Sequence, residues 1–241
     1  YGGVWKRQQK RIGPLSGRYG TAKGKRAQPK RSPLDVPLFR WSWGEYFAAA
    51  SDDQEHTVDG RLAVLEEARR LFSSHSEFQN IPLDGRRGIA GMYRGEDIDW
   101  RWFGSMKGAG YFKQAVIEND ANLSAALDAI PLYGAIREDD YREYVEGFRR
   151  AVQRAGVATA SRLLALKRPD YFVCLDSRNR KGLCEAFGIP QSVTLEEYWP
   201  KIVERLVDSN WWNADEPEDD LQARIWACRA AFLDVVYYVP E

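Results

Sequence analysis

Apolar residues recur every three or four positions through most of the chain from Ser105 onward. The clearest case is EDDYREYVEGFRRAVQRA (138–155), whose one helical face collects Tyr141, Tyr144, Val145, Phe148, Ala151 and Val152. This spacing places apolar side chains on one face of an α-helix, and that face must be buried against other elements. The same period runs through 58–75 and 219–238. We therefore predict a mainly α protein.

Local residues predict where several of these helices begin and end. Gly188 follows LCEAF and marks a helix end, because glycine is the usual residue just beyond a helix C-terminus. Thr194 and Glu197 have the spacing of a capping box at the start of the next helix. Pro200 lies inside that helix, so we expect a kink there or a later start.

Two segments lack a clear helical period. The aromatic stretch PLFRWSWGEYF (37–47) predicts a short extended or irregular segment, and the glycine-punctuated stretch 81–104 predicts a loop or a short hairpin. Together with a basic start, this pattern divides the chain into three parts. They are a basic N-terminal arm (1–35), an N-terminal accessory region (36–104) and a helical core (105–241).

The charge is unevenly distributed, although the net charge is zero. Residues 1–31 hold ten Lys and Arg residues and no acid. Such an arm is suited to phosphate binding, because each neutralised phosphate releases counterions. A solvated basic tail explains the same residues, so the sequence leaves both interpretations open.

Several protein classes are disfavoured by what the chain lacks. No apolar run is long enough for a membrane helix, and the start has no apolar secretory centre. The three widely spaced cysteines (Cys174, Cys184 and Cys228) predict buried free thiols in a reducing compartment rather than disulfides or a metal site. HExxH, P-loop and GxSxG motifs do not occur. We expect a cytoplasmic protein without membrane contact.

The segment VQRAGVATA (152–160) predicts a tight turn between two helices. Gly156 is the residue best suited to a positive φ angle in that turn. The amides of the turn and of the following helix N-terminus point outward and can hold a phosphate. Arg154 and Arg162 supply cations nearby. A grip of this kind holds the DNA backbone without reading its sequence.

The apolar run YFVCL (171–175) then leads directly to Asp176. This order resembles the helix-hairpin-helix DNA glycosylases, the superfamily of endonuclease III, adenine glycosylase and 8-oxoguanine glycosylase. In that family a hairpin LPGVGxxTA precedes an apolar run and a catalytic aspartate. Gly156 falls on the second hairpin glycine, Thr159 and Ala160 fall on the Thr-Ala pair, and Asp176 falls on the catalytic aspartate without a gap. DSRNRKGL is loosely similar to the DGNVxR continuation.

The motif departs from the family at three positions. Arg154 stands where the first hairpin glycine belongs, and Gln153 where the proline does. Ala158 stands where bifunctional members carry the lysine that attacks the sugar, so the resemblance implies a monofunctional enzyme without lyase activity. The chain also lacks the cysteines of the iron–sulfur cluster that some members hold. No cofactor is therefore expected, and a structural monovalent or divalent cation at the hairpin remains open.

The resemblance implies a two-lobed helical glycosylase core with an irregular basic N-terminal extension. Such an enzyme binds double-stranded DNA, flips out a damaged or modified base and hydrolyses its N-glycosidic bond, leaving an abasic site. A carboxylate suits this reaction because positive charge develops on the sugar. Housekeeping repair and antiphage defence against modified phage DNA are both compatible with it. We expect a monomer.

Structural interpretations of the same residues stay open. Asp176 could serve only as a helix N-cap, in a non-catalytic helix-hairpin-helix DNA-binding module. The aromatic residues of DWRWFGSMKGAGYF (99–112) could belong to the core. The candidate site residues are Asp176 for catalysis; Gly156, Val157, Thr159, Arg154, Arg162, Arg178, Arg180 and Lys181 for the DNA backbone; and Trp100, Trp102, Phe103, Tyr111 and Lys107 for a base pocket or wedge.

Overall fold

The computed structural model describes residues 37–52, 57–154 and 156–239. The chain divides into two units, Tyr1–Lys30 and Arg31–Glu241, and every described residue belongs to the second. The described ranges are mainly helical and contain no strand, which confirms the predicted mainly α class. The predicted basic arm (1–35) lies outside the described residues.

Most helices in these ranges are short, and they follow one another closely along the chain. In order they are α1 Pro37–Arg40, α2 Trp43–Ser51, α3 Thr57–Ser74, α4 Leu83–Ile89, α5 Gly110–Ile117, α6 Ala121–Asp128, α7 Glu138–Ala151, α8 Val157–Lys167, α9 Arg180–Phe187, α10 Leu195–Tyr198, α11 Glu204–Val207, α12 Asp220–Trp226 and α13 Leu233–Tyr237. A 3-10 turn lies at Phe78–Asn80. A π-helical turn at Trp199–Val203 joins α10 directly to α11.

Helix α8 is buried on all sides. Its residues 163–166 are at most 1% exposed, and four consecutive helical residues point in every direction around the axis. The helix packs against α3 and α10. The Tyr144 hydroxyl of α7 donates a hydrogen bond to the Ala160 carbonyl at 2.8 Å. These contacts fix the N-terminal end of α8, beside which the candidate site lies.

The apolar run after α8 is held by side chains rather than by a neighbouring strand. Residues 172–175 are fully buried. The Tyr198 hydroxyl accepts a hydrogen bond from the Val173 N–H at 3.1 Å and donates one to the Val173 carbonyl at 2.6 Å. The Leu175 N–H donates to the Ser161 hydroxyl at 2.9 Å. Because buried backbone groups need partners, these side chains make an extended run stable without a sheet.

Two of the three predicted helix features are confirmed, and the later helix start at Pro200 is wrong. Gly188 follows α9 in the left-handed conformation, with φ 62°. Thr194 and Glu197 form the capping box at the start of α10. Pro200 lies within the π-helical turn, so the helix continues through a locally altered hydrogen-bond pattern.

The predicted irregular segment at 37–47 is wrong, because these residues form α1 and part of α2. Ser42 caps α2 in a capping box with Glu45. The helix buries Tyr46 in a stack on Trp211, with ring centroids 4.2 Å apart. The aromatic side chains therefore pack from a helix, and their tertiary contacts outweigh the weak helical period of the segment.

Two further segments differ from prediction. Residues 81–104 begin with α4 before becoming a loop, so the expected loop or hairpin is only partly present. Gly88 lies inside α4, where a Cβ would meet the Trp100 ring at 2.6 Å, so this glycine serves close packing rather than a turn. The single helix expected over 219–238 is two helices, α12 and α13, with turn residues between them.

Candidate active site

A cavity of about 870 Å³ lies at the start of α8. Its lining comes from the loop that follows α4, from Ala158 of α8 and from the turn that leads into α9. The loop contributes Asp99 and residues 101–107, and Gln191 and Tyr238 complete the wall. Segments distant in sequence thus meet around one concave surface, which is the usual form of a small-molecule site.

Asp176 lies in this cavity wall and is 5% exposed. Its Oδ1 accepts hydrogen bonds from the backbone amides of Arg178 at 2.7 Å and Asn179 at 3.2 Å. Its own backbone amide donates to the Asn179 Oδ1 at 3.0 Å. Two amide donors on one oxygen fix the rotamer of the carboxylate.

Gly104 gives the second oxygen of Asp176 its space. Gly104 has φ 93°, and a Cβ built on it would lie 2.7 Å from Asp176 Oδ2. Any larger residue here would meet both an unfavourable backbone conformation and the carboxylate. In the described part of the chain, the protein hydrogen bonds to this carboxylate both end on Oδ1, which leaves Oδ2 for a ligand.

Arg162 lies behind the cavity wall and is not exposed to solvent. It is fully buried, and its guanidinium donates hydrogen bonds at 2.6 to 3.3 Å to six carbonyls. The acceptors are Gly88, Ile89, Trp100, Trp102, Phe103 and Gly104. Burial lowers the pKa of Arg162 to about 10, so it stays charged at neutral pH. The predicted phosphate contact by Arg162 is wrong, because the side chain is buried and all three nitrogens already donate to carbonyls of α4 and of the loop that follows it.

The turn before α8 has its left-handed residue at an unexpected position. Arg154 has φ 55°, whereas Gly156 is extended at φ −110° and forms the N-cap of α8. The prediction of a positive φ at Gly156 is therefore wrong. Val157 is buried, and the Thr159 hydroxyl donates to the Gly156 carbonyl at 3.1 Å. Any phosphate contact at Val157 would come from its backbone amide.

The basic residues after Asp176 do line the cavity. Lys181 and Lys107 are exposed there, and Arg178 and Arg180 are half-buried. Arg180 Nη2 donates to the Leu175 carbonyl at 3.2 Å, which leaves the guanidinium beside the wall. The structure thus brings four cationic side chains to the rim within reach of a bound anion.

The predicted aromatic group is divided by the structure. Trp102 is half-buried and lines the cavity, and the buried Phe103 lines it with φ 69°. Trp100 is buried against α4, outside this lining, so its assignment to the base pocket is corrected. Tyr111 is 45% exposed on α5 and is also outside the lining.

Asp99, Arg101, Gln191 and Tyr238 also line the cavity, and the sequence did not lead us to assign them to the site. Asp99 and Arg101 form an ion pair at 2.6 Å, and the hydrogen bond from Arg101 holds the Asp99 pKa below its usual range. Their separation by two positions was only a weak local indication of an ion pair. Gln191 and Tyr238 lie far along the chain and carry no local signal, because only the packing of α9 and α13 brings them here.

Cys174, Cys184 and Cys228 are buried and free, as predicted, and burial raises the pKa of each thiol. Among the described residues, no three His, Cys, Asp or Glu side chains are grouped to hold a metal ion. No helix within the described ranges is long and apolar enough to span a bilayer.

Comparisons of the chain with protein-family models, with curated proteins and with solved structures give no match. The function is therefore inferred from the cavity, from the carboxylate in its wall and from the order of the sequence motif.

Proposed function

We propose that the protein is a monofunctional DNA glycosylase of the helix-hairpin-helix kind. It hydrolyses the N-glycosidic bond of a flipped damaged or modified base in double-stranded DNA. The observation that carries this proposal is the position of Asp176 in the wall of an 870 Å³ cavity beside the N-terminus of α8. The family-like motif orders hairpin, apolar run and aspartate in the same way. Within the mainly helical class, we propose that the protein has the two-lobed core of that family.

The geometry of Asp176 suits the chemistry of glycosidic cleavage. With Oδ1 held by two backbone amides, Oδ2 is directed to the space beside Gly104. A carboxylate there stabilises the positive charge that develops on the deoxyribose, and it can orient or deprotonate the attacking water. The buried run 172–175 leads directly to Asp176 and anchors it in the wall. The bond between the anomeric carbon and the base nitrogen breaks with its electron pair on the base, water forms the new carbon–oxygen bond, and the proton that the water loses ends on the departing base.

The surroundings of the cavity suit a duplex with a flipped nucleotide. The first amides of α8 have no partner within the helix and favour a phosphate. Arg154, Lys107 and Lys181 add cations around them. This grip is independent of sequence, and we propose that the basic arm (1–35) adds to it.

Trp102 and Tyr238 supply aromatic surface for an extruded base. The cavity volume is near the upper end of the roughly 300–1,000 Å³ range of small-molecule sites. It therefore has room for a substituent on the base. Repair of a damaged base and defence against modified phage DNA are both consistent with a cavity of this volume. We also propose that the protein is cytoplasmic and monomeric.

The proposed enzyme leaves the abasic site uncut. Ala158 lines the cavity at the position where the resemblance puts the lyase lysine. A methyl group there offers no amine to the sugar. Strand breaks that appear before heat or alkali treatment would contradict this part of the proposal and would direct attention to the cavity amine of Lys107.

The decisive experiment is mass spectrometry of bases released from several DNAs, including modified phage DNA. The wild type is compared with Asp176→Asn and with Asp208→Asn, an exposed acid outside the cavity lining. We expect release by the wild type and by Asp208→Asn, and none by Asp176→Asn, which still binds DNA. Equal release by Asp176→Asn would remove the catalytic assignment.

One observation favours a second function, a non-catalytic DNA-binding module. The bonds from Arg178 and Asn179 to Asp176 are those of a turn-capping aspartate, which a binding protein also uses. In that case no DNA yields a free base, and Asp176→Asn changes only stability. Retained DNA affinity without base release by the wild type is the result that favours this alternative.

A further inference from the structure

A chain of buried polar side chains connects Asp176 to a distant helix. The backbone amide of Asn179 donates to the Asp176 carboxylate, and the Asn179 side chain joins the Asp176 backbone amide to Asp234 of α13, which is paired with Arg61 of α3. These three partners are at most 1% exposed. Arg61 and Asp234 are 173 positions apart in sequence, so only the tertiary fold brings them to the site.

Asn179 is fully engaged at the centre of this chain. Its Nδ2 donates to the Cys174 carbonyl at 2.8 Å and to Asp234 Oδ1 at 2.5 Å. Its Oδ1 accepts from the Asp176 amide, and its own amide donates to Asp176 Oδ1. The Asn179 side chain therefore holds the backbone at the Cys174 carbonyl and at the Asp176 amide, and its orientation depends on Asp234. A rotation of this side chain would release the backbone amide of Asp176.

Asp234 accepts on both of its oxygens. Oδ1 accepts from Asn179, and Oδ2 accepts from Arg61 Nε at 3.1 Å. Arg61 Nη2 lies 3.0 Å from the same oxygen as an ion pair. Only a carboxylate can accept on both sides, since an amide would turn a donor toward Asn179 or toward Arg61. Burial raises the pKa of Asp234, and the Arg61 charge opposes that effect.

Arg61 also contacts the aromatic wall of the cavity. Its guanidinium carbon lies 4.7 Å from the Trp102 ring centroid and 5.2 Å from that of Tyr238. Gly60 allows this approach, because a Cβ there would meet Trp102 Nε1 at 2.5 Å. One guanidinium thus supports both the carboxylate chain and two residues of the cavity lining.

A buried ion pair is a poor way to gain stability alone, because desolvation opposes the attraction between the charges. We propose that Arg61 and Asp234 are positioning residues for Asp176, acting through Asn179, and that Arg61 couples this position to Trp102 and Tyr238. The proposal rests on the proposed glycosylase function. It adds α3 and α13, on either side of the motif in sequence, to the machinery that holds the carboxylate.

The test uses the full chain with Asp234→Asn, Arg61→Lys and the control Asp170→Asn. The control disrupts another Arg–Asp pair, that of Arg168, which lies outside the cavity lining. The single-turnover rate of base release is measured on the duplex that the wild type cleaves. The Kd is measured on a duplex with a tetrahydrofuran abasic-site analogue, and thermal melting confirms folding.

We expect Asp234→Asn to slow base release by about 100-fold, because displacement of a reacting group by about 1 Å has an effect of that order. The Kd should change by less than about threefold, since the phosphate grip is untouched. Arg61→Lys keeps the charge and should lose about tenfold in rate. Asp170→Asn should match the wild type.

Rates within about threefold of the control in every variant that folds would overturn the proposal. If Asp234→Asn does not fold, Arg61→Lys decides by the same criterion. If the wild type releases no base from any DNA, the proposed function fails separately. A crystal structure of Asp234→Asn then decides the positioning role: an unmoved Asp176 carboxylate refutes it, and a displaced one supports it.

Discussion

Replacement of Gly104 by alanine tests whether the position of Asp176 sets the activity. A Cβ at Gly104 would lie 2.7 Å from Asp176 Oδ2, whereas ordinary contact begins at 3.4 Å. The carboxylate or the loop must therefore move by roughly 0.7 Å. A misplacement of about 1 Å at a reacting group lowers the rate about 100-fold, so we expect a fall of tens of fold in single-turnover base release.

The same substitution also strains the backbone, because Gly104 has φ 93°. A non-glycine residue in such a conformation costs about 1–3 kcal/mol. For a chain of this size that corresponds to a fall in Tm of about 2–4 °C for each kcal/mol. Loss of activity and loss of stability must therefore be separated.

Gly134→Ala is the matched control. Gly134 has φ 77°, but nothing lies within 4 Å of a Cβ built on it. It therefore carries the strain without the collision. We expect both variants to lose similar stability by thermal melting and only Gly104→Ala to lose base release. Equal rates in the two folded variants would refute the idea that Oδ2 must occupy the space beside Gly104.

Three further outcomes are expected. Ala158→Lys places an amine in the cavity wall. Strand cleavage should then appear without alkali treatment, and borohydride should trap a covalent enzyme–DNA adduct. Base release without trapping would place residue 158 out of reach of the sugar. Arg154→Gly relieves the strain of φ 55° and removes one cation. The Tm should therefore not fall, and the slope of log K for DNA binding against log salt concentration should weaken by about one unit. An unchanged slope would exclude Arg154 from the phosphate grip. Burial lowers the pKa of Lys167 from 10.5 to about 8, so the unfolded chain binds more protons between those values and the free energy of unfolding should rise with pH there, by up to about 3 kcal/mol. Urea titrations at pH 7.5 and 9.5 should show this rise in the wild type and a smaller rise in Lys167→Met. An equal rise in the free energy of unfolding in both proteins would contradict the lowered pKa of Lys167.

The sequence alone determined the helical class and several helix boundaries, because those signals are local. The apolar face of α7, the capping box of Thr194 and the glycine after α9 each depend on residues within a few positions. Asp176 could also be selected as a candidate from the sequence, because the buried run that precedes it and the turn that follows it are contiguous in sequence.

Other local signals were misread for a physical reason. The aromatic stretch 37–47 is helical because Tyr46 stacks on Trp211, a contact between residues far apart in sequence. The left-handed position of the turn falls on Arg154, whereas Gly156 is extended and forms the N-cap of α8. Propensity is a weak preference, and tertiary contacts override it.

Only the tertiary structure decided what each charged residue does. Arg162 resembles a phosphate ligand in the sequence, yet it is buried and ties α4 to the cavity loop through six carbonyls. Arg61 and Asp234 are separated by most of the chain and meet behind Asp176. A charge acts on whatever the fold places within a few ångströms of it, and no local pattern encodes that distance.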